Sequence, residues 1–235
     1  MDDVLICSNT IEEHLLILRE VLTRLRVAGL KVKLAKCDFV KRKIVYLGHV
    51  ISEEGVQVNP EKIKAIARFP EPKSKKNIKQ FLGLAGFFRK FVRSFSAIAA
   101  PLTDVLKEDV QFRFEEKERN AFQNLKDALG QPPVLRFPNF DLPFIVVTDA
   151  SDIGMGACLM QKYGNKIHPV AFFSRKWKTA SPDETKMSVV DKEAYAVVAS
   201  LQHFRYIILG YKVVVFTDHK PRGVNKRCVW WMINR

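Results

Sequence analysis

The sequence predicts an α+β protein: a helical block followed by a mixed sheet of four strands with one long helix. Two observations predict that class. Apolar residues recur at three- and four-residue spacing through residues 11–28, 60–107 and 115–130, and again through 188–210. Between the last two stretches lie "FIVVTDAS", "GMGACLMQ" and "HPVAFFS", short strand-like runs with short connections, and "KVVVFTDH" follows the final helix.

Taken in order, "DVLICS" reads as a short strand. The helix after it carries Ile11, Leu15, Leu18, Leu22 and Leu25 on one face. "GLKVKLAKCDFV" alternates, with Leu30, Val32 and Leu34 opposite Lys31 and Lys33, and reads as a strand. "KIVYLGHVIS" and "GVQV" flank "EEG" as a hairpin with Gly55 at its turn. Asn59 caps a helix that begins at Pro60, and Ser74 caps the next, with Ile78, Phe81, Leu82 and Ala85 inward. A short third helix is expected from near Pro101. "EEKERNAFQNLKDALG" is a fourth, stopped at Gly130. The Pro-rich "PNFDLPF" marks a joint, after which the three runs form an antiparallel meander. The helix over "SVVDKEAYAVVASLQHFRYIILG" stops at Gly210, and "KVVVFTDH" supplies the fourth strand.

A chain of 235 residues suffices for two small domains or one large one with attached pieces. No apolar run approaches the roughly 18 residues of a membrane span, and "MDD" is not the basic start of a secretory signal. Cys7, Cys37, Cys158 and Cys228 are scattered, without the paired spacing of a zinc site or a disulfide framework. These features predict an intracellular protein with no membrane partner.

Charge is more specific. Lys plus Arg number 39 against 25 Asp plus Glu. Between Arg24 and Lys43 there are eight basic residues against Asp38 alone. Between Lys73 and Arg93 there are seven and no acid: Lys73, Lys75, Lys76, Lys79, Arg89, Lys90 and Arg93. The two windows account for the whole surplus of 14, which points to a polyanion, above all nucleic acid.

Two strands end alike, in Thr148-Asp149 and Thr217-Asp218. The helix between them contributes Glu193 beside its apolar stripe, where a carboxylate is costly unless its charge is compensated. An Asp at a strand end also serves as a turn former. Strand–Asp, helix–Glu, strand–Asp is nonetheless one way to gather three carboxylates around hard divalent cations such as Mg2+, with Mn2+ as substitute. Two such ions activate a water and stabilise the leaving oxygen of a phosphodiester.

From Asp2 to about Pro221 the chain resembles the Pol polyprotein of gypsy-type LTR retrotransposons, where reverse transcriptase gives way to ribonuclease H. The matching stretches include "DDVLICS", "KCDF", "YLGHVIS", "GVQVNPEKIKAI", "FPEPKSKKNIKQFLGLAGFFRKFV", "PVLRFPNFDLPF", "TDASDIGMGACLMQ", "HPVAFFSRKW", "KEAYAVV" and "TDHK". The resemblance implies that Asp2 and Asp3 are the paired aspartates of the polymerase palm, with Met1 in the variable place before them. It implies a primer grip at Tyr46, Leu47, Gly48 and His49, and a triphosphate-side lysine at Lys36, with Lys31 and Lys33 as competitors. Residues 1–58 would be the end of the palm and 59–108 the thumb, whose basic residues follow the backbone of a template–primer duplex. Residues 109–142 would connect them to a ribonuclease H-like domain over 143–221, leaving 222–235 as an unmatched tail. Asp149, Glu193 and Asp218 match the first three members of the family's D-E-D-D set, which binds two metal ions and cuts the RNA strand of an RNA–DNA hybrid.

There are departures. The family's fingers, its earlier palm aspartate, its fifth sheet strand and its fourth ribonuclease H aspartate find no match. Asp191 stands for the usual Glu, Met187 for Tyr and Phe114 for Trp. The isolated chain is therefore expected to lack polymerase activity and to have weak nuclease activity at best, with the fourth strand an exposed, pairing-prone edge. The remainder of a Pol polyprotein is an implied partner. The alternative is a non-catalytic nucleic-acid-binding remnant, which needs only the basic windows.

Overall fold

A computed structural model of the chain describes residues 3–177, 184, 186–217 and the backbone of 228–232. It divides into two compact units, residues 1–53 and 54–235. Among the described residues, no helix is long and apolar enough to cross a membrane.

The first unit holds α1 (Ile11–Val27) and the hairpin of β1 (Lys43–Tyr46) and β2 (His49–Ser52). Thr10 caps α1, its hydroxyl accepting from the Glu13 amide at 3.2 Å, while Glu12 and Glu13 sit at the positive end of the helix dipole. No residue of α1 is buried, so the predicted stripe lies open at Ile11 and Leu15. Three expectations fail in this unit. "DVLICS" forms no strand. The alternating stretch 29–40 folds instead around a single 3-10 turn at Leu34–Lys36, because alternation makes a strand only where another strand supplies the ladder. "KIVYLGHVIS" is two strands rather than one. Leu47 and Gly48 adopt positive φ of 47° and 77°, the pair of left-handed residues that a tight hairpin turn requires.

In the second unit, β3 (Gly55–Val58) leads into α2 (Pro60–Ala67) and α3 (Lys75–Phe87), capped by Asn59 and Ser74 as the sequence predicts. Residue 55 must be glycine: φ is 129°, and a Cβ would lie 2.1 Å from the Leu135 carbonyl oxygen. Next comes α4 (Phe95–Val105), which begins six residues before the expected start and carries Pro101 within it. Burial of Phe95, Ala99, Ala100, Leu102 and Val105 along one face overrides the cost of the proline. The block closes with α5 (Glu116–Gly130), where the Glu118 carboxylate accepts from the Glu115 amide at 3.1 Å. Its core is aromatic, with Phe81 and Phe122 rings 4.5 Å apart beside Ile66, Ile78, Leu102 and Leu125.

The meander follows as β4 (Phe144–Ala150), β5 (Gly154–Tyr163) and β6 (Lys166–Lys176). Then come α6 (Val189–Ile208) and β7 (Lys212–Phe216), which pairs parallel to β4. A further strand, β8 (Cys228–Met232), runs antiparallel to β7, so the sheet order is β6-β5-β4-β7-β8. The four expected strands and the long helix form the mixed sheet, and β8 adds a fifth strand at its β7 edge. The run "CVWWM" in the supposedly unmatched tail has the β-branched and aromatic composition of a strand, and it covers the β7 edge.

Helix α6 covers one face of the sheet, its Phe204 and Ile208 packing on Phe144, Val146, Val213 and Val215. The other face receives α4. There the Ser96 amide donates to Ser174 Oγ at 3.0 Å, and Lys176 reaches the Asp104 carboxylate at 2.7 Å. Helical block and sheet therefore share one compact unit across the Pro-rich joint.

Candidate active site

Glu193 lies in the first turns of α6 and is 5% exposed. Its Oε1 accepts from the Ala150 amide at 3.2 Å, and its Oε2 accepts from the Thr217 hydroxyl at 3.1 Å. One side chain therefore binds the ends of β4 and β7, next in sequence to Asp149 on one strand and Asp218 on the other. These two bonds fix the plane in which the carboxylate is presented.

The threonines of the two Thr-Asp pairs do distinct work that sequence reasoning passed over. Thr148 is buried, and its hydroxyl donates to the Phe216 carbonyl at 3.4 Å, pinning β4 to β7. Thr217 orients Glu193. The repeated Thr before each Asp was the visible signal. The neighbouring Lys192 is almost buried yet ion-pairs at 2.8 Å with Asp152 in the β4–β5 turn. Trp177 Nε1 donates to the Ser151 carbonyl in that turn at 2.7 Å. The turn that follows Asp149 is thus held from two sides.

Asp149 itself is exposed. Strand alternation sends Phe144, Val146 and Thr148 under α6 and turns Val147 and Asp149 to the opposite pleat. There Asp149 lines a cleft of about 280 Å3 with Arg93, Ser94, Cys158, Met160 and Phe172. Burial pushes the Cys158 thiol up to about 12, outweighing the charge of Arg93, so this cysteine is no nucleophile near neutral pH. Among the described residues no three His, Cys, Asp or Glu side chains gather as a metal-binding group. Asp218, the third expected ligand, lies outside the described residues, as does Asp2.

In the first unit, Asp3 is exposed, and its carbonyl accepts from the Tyr46 hydroxyl at 3.3 Å. That bond ties the N-terminal segment to the β1–β2 hairpin, whose turn carries Leu47 and Gly48, with His49 opening β2. Lys36 is exposed on the 3-10 turn. The basic window divides. Lys73, Lys76 and Lys79 are exposed on or beside α3, while Lys75 donates to the Lys107 carbonyl at 2.6 Å. Lys90 stands over the Phe91 ring at 5.4 Å. Arg89, though exposed, reaches across to β6: it donates to the Ser174 carbonyl and to Ser96 Oγ, and it stands 5.7 Å from the Phe95 ring centroid. It works as a clamp between the helical block and β6.

Residues 1–51 match the family model described as reverse transcriptase (RNA-dependent DNA polymerase), and residues 114–215 match that of the RNase H-like domain found in reverse transcriptase. The retrovirus-related Pol polyprotein from transposon 297 of Drosophila melanogaster is 37% identical over 222 residues, 94% of this chain and 20% of that polyprotein. The transposon Tf2-3 polyprotein of Schizosaccharomyces pombe is 36% identical over 247 residues, 99% of this chain and 18% of the other. The chain thus spans about a fifth of the length of these curated relatives. Among solved structures, foamy viral protease-reverse transcriptase dRH in complex with double-stranded DNA superposes with a TM-score of 0.78. That match has 24% identity and covers 92% of this chain and 38% of the other. The foamy viral enzyme in complex with RNA/DNA hybrid gives a TM-score of 0.76, again over 92% of this chain, and 29% of the other. Both matched families generally use divalent metal ions. Residues 1–51 are thus similar to reverse transcriptase and residues 114–215 to the RNase H-like domain found in it, and the chain as a whole is similar to about a fifth of retroelement Pol polyproteins.

Proposed function

We propose that the sheet domain cleaves the RNA strand of an RNA–DNA hybrid, with Asp149, Glu193 and Asp218 holding Mg2+ (or Mn2+) between them. The carrying observation is the placement of Glu193, a nearly buried carboxylate tied to the strand ends that lead to both aspartates. Bound there, the ions would supply an activated water and charge stabilisation for the leaving oxygen. The chain's own contribution is orientation: Thr217 and the Ala150 amide fix the carboxylate, and Lys192 and Trp177 steady the turn after Asp149. The exposed lysines of α3 and the β1–β2 hairpin would track the backbones of hybrid or template–primer duplex. In this reading residues 1–58 are palm, 59–108 thumb and 143–221 the nuclease domain. The ordered motifs favour the gypsy type.

The competing reading, a binding remnant without catalysis, needs only exposed basic side chains, Lys73, Lys76 and Lys79 among them. Cleavage of a labelled hybrid in Mg2+ or Mn2+ separates the two. Activity that disappears in Asp149→Asn and Glu193→Gln supports the nuclease. Folded protein that binds hybrid without cutting it leaves the remnant.

A further inference from the structure

The opposite end of the same sheet carries a cluster that the nuclease reading does not use. Strand register brings the start of β4, the β5–β6 hairpin and the start of β7 together, with Phe144 opposite both Gln161 and Val213. Phe137, Phe140 and Tyr211 are 46%, 49% and 37% exposed there. The Phe140 and Tyr211 rings lie 4.9 Å apart, above buried Phe144.

The rings are held by a rigid base. Gln161, fully buried, donates to the Asn139 and Leu142 carbonyls at 2.7 and 3.0 Å and accepts from the Asn139 amide at 2.9 Å. The Tyr163 hydroxyl donates to the Phe137 carbonyl at 2.9 Å, and the Arg136 guanidinium stands 5.5 Å from the Tyr163 ring centroid. The segments meeting here bring Arg136, Lys162, Lys166 and Lys212 against one carboxylate, Asp141. Exposed rings on a fixed loop, in segments with four basic residues against one acid, are poor solvent-facing chemistry for a protein at rest. They suit a ligand with flat apolar faces strung on an anionic backbone.

We infer that this end of the sheet is a binding platform for single-stranded nucleic acid, with bases stacking on Phe137, Phe140 and Tyr211 and phosphates meeting the surrounding cations. A single strand fits and a duplex does not, because stacking on exposed rings needs bases free of their own stack. The site lies about 20 Å from the carboxylate end, the length of a seven-residue strand, and it stands whether or not the nuclease reading holds.

The test uses the full chain and fluorescence anisotropy of a labelled oligo(dT) of about twelve nucleotides, beside a labelled duplex. Phe140→Leu/Tyr211→Leu keeps apolar volume and removes stacking, and Phe137→Leu removes a ring outside the Phe140–Tyr211–Phe144 group. Each is expected to weaken oligo(dT) binding, the double variant by about tenfold, with duplex binding and melting temperature retained. Lys73→Gln/Lys76→Gln/Lys79→Gln should show the reverse preference. Wild-type affinity for oligo(dT) in both aromatic variants overturns the proposal, as does equal loss for single strand and duplex. Self-association that disappears in those variants while oligo(dT) binding persists would assign the rings to a second copy of the chain and overturn it too.

Discussion

At the scale of single residues, Thr217 distinguishes an oriented carboxylate from a merely buried one. Thr217→Val removes the donor to Glu193 Oε2 at constant shape, whereas Thr217→Ser keeps it. If Glu193 faces a cation, the rise in melting temperature on adding Mn2+ should shrink in the valine variant and survive in the serine variant. Equal rises in both would show that the bond serves folding alone. Gly154 offers a second check near the site. A Cβ there would lie 2.4 Å from the Arg175 carbonyl oxygen and 2.9 Å from Lys176 Cα, both backbone atoms of the paired strand. Gly154→Ala should cost more than about 1 kcal/mol, seen as a fall of at least about 2 °C in melting temperature. Glu193 and Asp149 were legible in the sequence as acids in costly or strand-terminal places. The pleat on which Asp149 stands was not, because the alternation of β4 is set by which face α6 covers.

At the scale of elements, α4 shows where sequence and fold part. Pro101 looks like a start signal, yet the helix begins at Phe95, after Ser94 at φ 54°. Its outer end is tied to β6 by Asp104. Burial raises that carboxyl, but the ammonium groups of Lys176 and Lys107 outweigh it and hold the group below the ordinary aspartate value. A depressed folded-state value means that the unfolded chain takes up the proton first as pH falls. The contribution is complete above about pH 4, the unfolded value, and is lost as pH drops through the folded one. Asp104→Asn should therefore lower the melting temperature at neutral pH and flatten its decline on acidification. The starts of α1, α2 and α3 were readable to within a residue, since capping signals are local. The failed strands at 3–8 and 29–40 depended on partners that no local pattern encodes.

For the molecule as a whole, charge decides the interaction with nucleic acid. Arg89 is committed to Ser174 and Ser96 and Lys75 to the Lys107 carbonyl, which leaves five basic side chains of the window to meet phosphates. Salt titrations of hybrid binding should then give a slope of about −4.5 in log K against log salt if all five make contact. Arg89→Gln should leave that slope nearly unchanged while lowering the melting temperature. A slope that falls by a full unit would return Arg89 to the binding face. The two basic windows were plain in composition, but the commitment of Arg89 to β6 arises from a contact 85 residues apart.

The antiparallel β8 also gives the molecule a polarity. Cys228 lies opposite Phe216 at the carboxylate end, and Met232 lies opposite Lys212 beside the aromatic rings. The last strand thus ends at the far end from Glu193. A dye attached at position 232 would report on a strand lodged at the aromatic rings, while leaving the approach to Asp149 unobstructed.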